Sequence, residues 1–205
     1  MGVIDFKPKR LSYDDLRQIA NKFLKEHHRS DEYPIPIEEI VEFKLGIDIV
    51  PIPNLIKTWD VDGFISGDLS EITVDQFILE NREERYRYTL AHEVGHLVLH
   101  KDIIKKNWPK DIKKYKDMIN SIPEEDYRWL EWQAYSFAGL VLVPKKHLER
   151  EVCPLIKHVQ VYTTLSDELL DPVWDRIAEK LGPKFCVSKD VIIKRLKYDG
   201  YRGTE

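Results

Sequence analysis

Two histidines and a glutamate stand inside a stretch whose other residues belong in a hydrophobic core, and few folds accommodate that combination. Residues 81–100 contain no Pro and a single Gly, while Leu90, Ala91, Val94, Leu97 and Val98 recur at helical spacing. His92-Glu93-Val94-Gly95-His96 is therefore an HExxH pattern on a helix. Residues four apart share a helix face, so both imidazoles can address one metal ion with Glu93 projecting beside them. The plainer alternative is two solvated histidines flanking a surface Glu. It conflicts with the apolar neighbours, because burying two imidazoles and a carboxylate without partners is costly.

Composition narrows the donors. Cys153 and Cys186 are the only cysteines among 205 residues, which leaves neither a disulfide framework nor a thiolate metal ribbon. Any metal must be held by His and carboxylates. A chain of this length buries a core of its own and needs no metal merely to fold. Lys and Arg total 32 against 36 Asp and Glu, a formal net charge of −4, so a globally basic nucleic-acid binder is not expected. The first residues lack the apolar core of a signal peptide, and no apolar run approaches the roughly 18 residues of a spanning helix. A soluble, cytoplasmic protein with no membrane partner is expected.

A zinc ion that performs hydrolysis wants three protein ligands and an open fourth position. His100 continues the i, i+4 ladder, yet it lies eight residues from His92, about 12 Å along a straight helix. The third ligand should come from another helix. Glu131 fits, since it precedes Ala134, Phe137 and Ala138 at helical spacing on the stripe expected to be buried. Glu125 is the alternative, although a Glu near a helix start has a simpler role with the helix dipole.

The remaining pattern predicts an α+β fold, mainly helical with a small β-sheet. A helix is expected over 11–28, capped by Ser12 with Asp14 and Asp15 in its first turn. A short helix follows over 37–45, ended by Gly46, and then a strand over 47–50 closed by Pro51 and Pro53. Alternation on either side of Gly67-Asp68 suggests a hairpin within 59–77. The Lys-rich stretch 101–120 reads as a solvated connection, and a mobile loop over 101–122 is a candidate gate. Residues 124–143 form a second apolar helix, ended by Pro144, and two further helices are expected over 167–181 and 188–198. The organisation expected is a catalytic domain over 1–144 and a helical subdomain over 145–205.

The stretch from Arg87 through His92, Glu93 and His96 to His100, followed by Glu131-Trp132-Gln133-Ala134-Tyr135-Ser136-Phe137-Ala138 and the segment ending at Pro144, resembles the ImmA/IrrE family of zinc-dependent metallo-endopeptidases. The N-terminal helix, Pro34 to Val41, and Asp62-Gly63-Phe64-Ile65 are similar to that family as well. The resemblance runs through most of residues 11–144. It implies a zincin-like domain in which His92, His96 and Glu131 hold Zn2+ and Glu93 is the catalytic base. One departure is Tyr135, where the family usually carries Asn. Zinc is the usual ion of such a ligand set, and manganese can occupy it in vitro. A second donor to the tetrahedral oxyanion is also needed. Tyr88, Tyr127, Tyr135, His147 and His158 are the candidates. His100 either supports the metal ligands by a hydrogen bond or caps the helix.

Residues 176–202 carry a local basic excess, and Ser188 is placed to cap the second helix of a helix-turn-helix-like pair. Such a pair can read DNA, or can pack on the catalytic part and close its cleft. The second use is favoured, since no base-reading pattern accompanies the helices. The resemblance implies an endopeptidase acting on a specific protein, typically a transcriptional repressor of the helix-turn-helix type. The competing function is a non-catalytic regulator that holds a repressor or DNA on the same fold.

Overall fold

The computed structural model describes residues 7–110, 112–159 and 167–201, with side chains described over 7–110, 112–156 and 171–201. Helix α1 (Tyr13–His27) opens on the expected capping box: Ser12 Oγ accepts from Asp15 N–H, and the Asp15 carboxylate accepts from Ser12 N–H. Its apolar face buries Leu16, Ala20, Phe23 and Leu24 against helix α7 (Glu124–Leu142). The short helix α2 (Ile37–Glu39) widens into a π-helical turn over Ile40–Lys44, and Gly46 ends it at φ +68°, a left-handed backbone that glycine adopts without a Cβ clash.

Three strands follow in the order β1-β3-β2. Strand β1 (Asp48–Ile52) runs parallel to β3 (Glu71–Asp75), with Ile49 opposite Ile72, and β2 (Gly63–Ile65) pairs antiparallel to β3, with Phe64 opposite Thr73. The expected hairpin is therefore the β2–β3 pair. Sequence reasoning closed β1 at Pro51, but the strand continues to Ile52, because an edge strand tolerates a residue without an N–H. Helix α3 (Leu55–Trp59) lies between β1 and β2. Asp75 then ends β3 and caps α4 (Gln76–Asn81), its carboxylate accepting from Phe77 and Ile78 N–H.

Helix α5 (Glu83–Asn107) is the spine of the molecule. It packs on α7 and on β2 and β3. The helix extends seven residues beyond the 81–100 window, and its one departure from helical geometry is His100, at φ −124° and ψ 17°. The Lys-rich stretch is more than a solvated connection. Ile104 and Trp108 are buried, and helix α6 (Ile112–Ile119) buries Tyr115 and Met118. Asp68 pairs with Lys110, and Gly67 N–H reaches Pro109 O, so the hairpin tip holds this segment down.

Helices α8 (Lys145–Val159), α9 (Asp167–Phe185) and α10 (Lys189–Tyr198) complete the chain. Helix α9 runs through Pro183 to Phe185, beyond the expected end at 181. Helix α10 returns along α9 and also touches α7. Arg195, buried on α10, donates to Gly139 O at 2.8 Å and to Val143 O at the C-terminal end of α7; Gly139 O also accepts from Val143 N–H, whereas Val143 O lies past the last turn. Its guanidinium also pairs with Asp199, whose fully buried carboxylate meets Arg17 of α1 at 3.0 Å.

Candidate metal centre

The approach of α5 to α7 builds the site. Gly95 faces Ala134 so closely that a Cβ on it would stand 3.0 Å from Ala134 O and 3.1 Å from Ala134 Cα. Two small residues thus allow near contact of the helix backbones, and Glu131, one turn before Ala134, reaches the two histidines. His92 Nε2 stands 2.9 Å from His96 Nε2 and 3.4 Å from Glu131 Oε2, and His96 Nε2 stands 3.4 Å from Glu131 Oε1. A tetrahedron with metal–ligand bonds near 2.05 Å has edges of about 3.3 Å, so the three donors fit one small divalent ion. The donor set, two imidazoles and a carboxylate, is one that zinc accepts.

Both histidines are buried, and Glu131 is largely so. Burial alone would lower the His92 pKa, but the Glu131 carboxylate outweighs it, and His92 is raised above its ordinary value. Burial would likewise raise Glu131, yet hydrogen bonds to His92 and His96 hold it far below the usual carboxylate range. His92 and Glu131 thus each favour the other's charged form.

Glu93 lies beside them, 3% exposed, with Oε1 4.0 Å from His92 Nε2. Its other oxygen accepts from Ile65 N–H of β2 at 2.9 Å, a contact that no sequence signal marked. Burial pushes the Glu93 pKa up, opposed by the two imidazoles. The carboxylate is thus positioned by the sheet and tuned towards taking up a proton.

His92, Glu93 and Glu131 open on a cleft of about 300 Å³, lined also by Asp62, Gly63, Tyr115, Tyr127 and Tyr135. The sequence candidates for an oxyanion donor separate here. Tyr88 lines the cleft, but its hydroxyl donates to Tyr135 O at 3.0 Å. His147 is engaged elsewhere, with Asp31 at 2.9 Å and stacked on Tyr33, and the side chain of His158 lies outside the described residues. Tyr127 and Tyr135 remain, joined by Tyr115 of α6. All three phenols are raised by burial, with carboxylates adding to the shift, so each stays a neutral O–H donor at neutral pH. Glu125, the alternative third ligand, pairs instead with Arg10 on the surface at 2.6 Å.

The two imidazoles are held differently. His92 Nδ1 has no hydrogen-bond partner among the described residues, and its ring packs on Tyr135 with centroids 4.3 Å apart. His96 is enclosed by Trp108, 5.1 Å away edge-on, and by His100, whose Nδ1 stands 3.2 Å from His96 Nδ1. Burial, with His96 adding to it, lowers the His100 pKa to about 3, so this third imidazole is neutral.

A helical, zincin-like scaffold with a small sheet and a His-His-Glu donor group is the class that this fold and site define. The chain belongs to the IrrE N-terminal-like domain family (Peptidase_M78), whose profile matches residues 44–197. No curated protein matches. Among solved structures, a Mycobacterium tuberculosis transcriptional regulator is similar in fold, with TM-score 0.56 and 18% sequence identity over 89% of this chain. The present chain spans 46% of that one. Among the described residues no helix is long and apolar enough to cross a membrane.

Proposed function

We propose that this chain is a zinc-dependent endopeptidase that cuts a specific protein, a transcriptional repressor of the helix-turn-helix type, and so regulates transcription from within the cytoplasm. The observation that carries this reading is the convergence of His92, His96 and Glu131 with the Glu93 carboxylate beside them at the floor of an open cleft. Membership of a peptidase family and the fold likeness to a transcriptional regulator support it.

When bound, a zinc ion supplies Lewis acidity, lowering the pKa of water towards about 7 and polarising a carbonyl. His92 and His96 would hold it through Nε2, and Glu131 through its carboxylate. Glu93 Oε1 takes the proton that the attacking water loses and returns it to the leaving amine, while Ile65 N–H keeps Oε2 fixed. One water and one peptide bond become a carboxylate and an amine. A phenol of the Tyr115, Tyr127 and Tyr135 group donates to the developing oxyanion.

The test is incubation of the zinc-loaded protein with helix-turn-helix repressors, beginning with any encoded beside it. Cleavage that Glu93→Gln slows by roughly 10²- to 10⁴-fold is the expected result. Stable binding without cleavage, unchanged by Glu93→Gln, would instead establish the non-catalytic regulator.

A further inference from the structure

His100 is 2% exposed and Gln133 is fully buried, and neither belongs to the metal-binding group. Two polar side chains in an apolar helix interface need a reason, because leaving a buried polar group unsatisfied is costly. The hydrogen-bond polarity around His96 supplies one. If His96 binds an ion through Nε2, its proton sits on Nδ1 and must be donated. The atom 3.2 Å from it is His100 Nδ1, which can accept only when His100 carries its own proton on Nε2. His100 Nε2 is buried and makes no formed hydrogen bond among the described residues, and the same holds for Gln133 Oε1. Gln133 lies near enough to His100 to favour its protonated ring, against the effect of burial. The two orphaned atoms are complementary, one a donor and the other an acceptor. Gln133 Nε2 in turn donates to Lys9 O at 2.9 Å, which fixes the orientation of the amide and leaves Oε1 as its accepting end.

We propose that His100, Gln133 and the Lys9 carbonyl form a one-way hydrogen-bond relay that positions His96 and fixes its tautomer as an Nε2 ligand. The relay runs from α5 through α7 to the segment before α1. Every member has one allowed polarity: His96 Nδ1–H to His100 Nδ1, His100 Nε2–H to Gln133 Oε1, Gln133 Nε2–H to Lys9 O. It falls at the one residue of α5 that leaves helical geometry. Among the described residues His92 has no equivalent support, since its Nδ1 has no hydrogen-bond partner there. His100 and Gln133 are therefore positioning residues that act through His96. The inference rests on the metal-binding reading above.

Two measurements test it on the full chain. In the zinc-loaded protein labelled with 15N-histidine, long-range proton–nitrogen correlation is expected to show His100 as the Nε2–H tautomer and His96 as Nδ1–H. An Nδ1–H tautomer at His100 would overturn the relay, and this spectrum needs no variant. In competition titrations with a chelator, His100→Leu should weaken zinc binding by about 10- to 100-fold. His100→Asn, whose side-chain oxygen can stand in for the accepting Nδ1, should recover most of that loss. Equal zinc affinity in the parent and His100→Leu, or equal weakening by Leu and Asn, would overturn the relay while leaving the metal site intact. A parent protein that binds no zinc would overturn the metal-binding reading, and the relay with it.

Discussion

At Glu93 the two carboxylate oxygens have separate tasks, one tied to Ile65 N–H and the other free beside His92. Glu93→Gln keeps an acceptor for the Ile65 N–H and removes the base, so zinc affinity should be retained while turnover is lost. A chelator titration checks the first half of that statement. His92 carries the second residue-scale prediction. Its pKa lies above the ordinary 6.5 because Glu131 favours the charged ring against the effect of burial. A metal ligand must be unprotonated. Zinc affinity should therefore fall as pH falls, and the fall should begin above pH 6.5. In the metal-free protein the sign is opposite: the raised pKa contributes stability that is present below pH 6.5 and is lost as pH rises through the folded-state value. Calorimetric titration with zinc between about pH 5.5 and 8.5 reads the first effect, and thermal melts of the metal-free protein over the same range read the second.

Among the elements, the α5–α7 contact decides whether the donors meet. Gly95→Ala places a methyl against the Ala134 backbone, which cannot yield as a flexible side chain would. The helices must separate by a few tenths of an ångström, at about 1–3 kcal/mol. Glu131 moves away with α7. Weaker zinc binding in a protein that still folds is the expected outcome, checked by circular dichroism beside the chelator titration. Helices α1, α2, α5, α7, α9 and α10 were legible in the sequence, and so were the α1 capping box and the Glu131 stripe, because each is written in local spacing, whereas α3, α4 and α8 were not read. What was not legible depends on distant partners. Pro51 stays in β1 because the strand lies at an edge, and Trp108 is buried because α6 and His96 meet around it. Gln133 stood in plain view as a polar residue in an apolar stripe, yet the Lys9 carbonyl it donates to is 124 positions away, too far for any periodicity to reveal.

Over the whole molecule, the basic C-terminal helices are partly neutralised in place. Lys184 pairs with Glu151, Lys189 with Asp175 and Glu179, and Arg195 is buried against Asp199 and the end of α7. A cationic surface needs charges free to meet phosphates. No stable complex with duplex DNA is expected at about physiological salt, and an electrophoretic shift assay over a salt series checks it. Arg195→Met, by contrast, leaves the buried Asp199 carboxylate with Arg17 alone and takes the side-chain donor from Val143 O. A loss of about 1–3 kcal/mol in urea unfolding should follow. The central claim is that α5, α7 and β2 converge to make a hydrolytic metal centre. The most direct measurement follows an intact repressor by mass spectrometry in the presence of the zinc-loaded protein, with Glu93→Gln alongside. The account predicts two complementary fragments, each lost or greatly slowed in the Glu93→Gln reaction although that variant still holds zinc. An intact repressor with the zinc-loaded parent, or the same fragments at the same rate from Glu93→Gln, would contradict it.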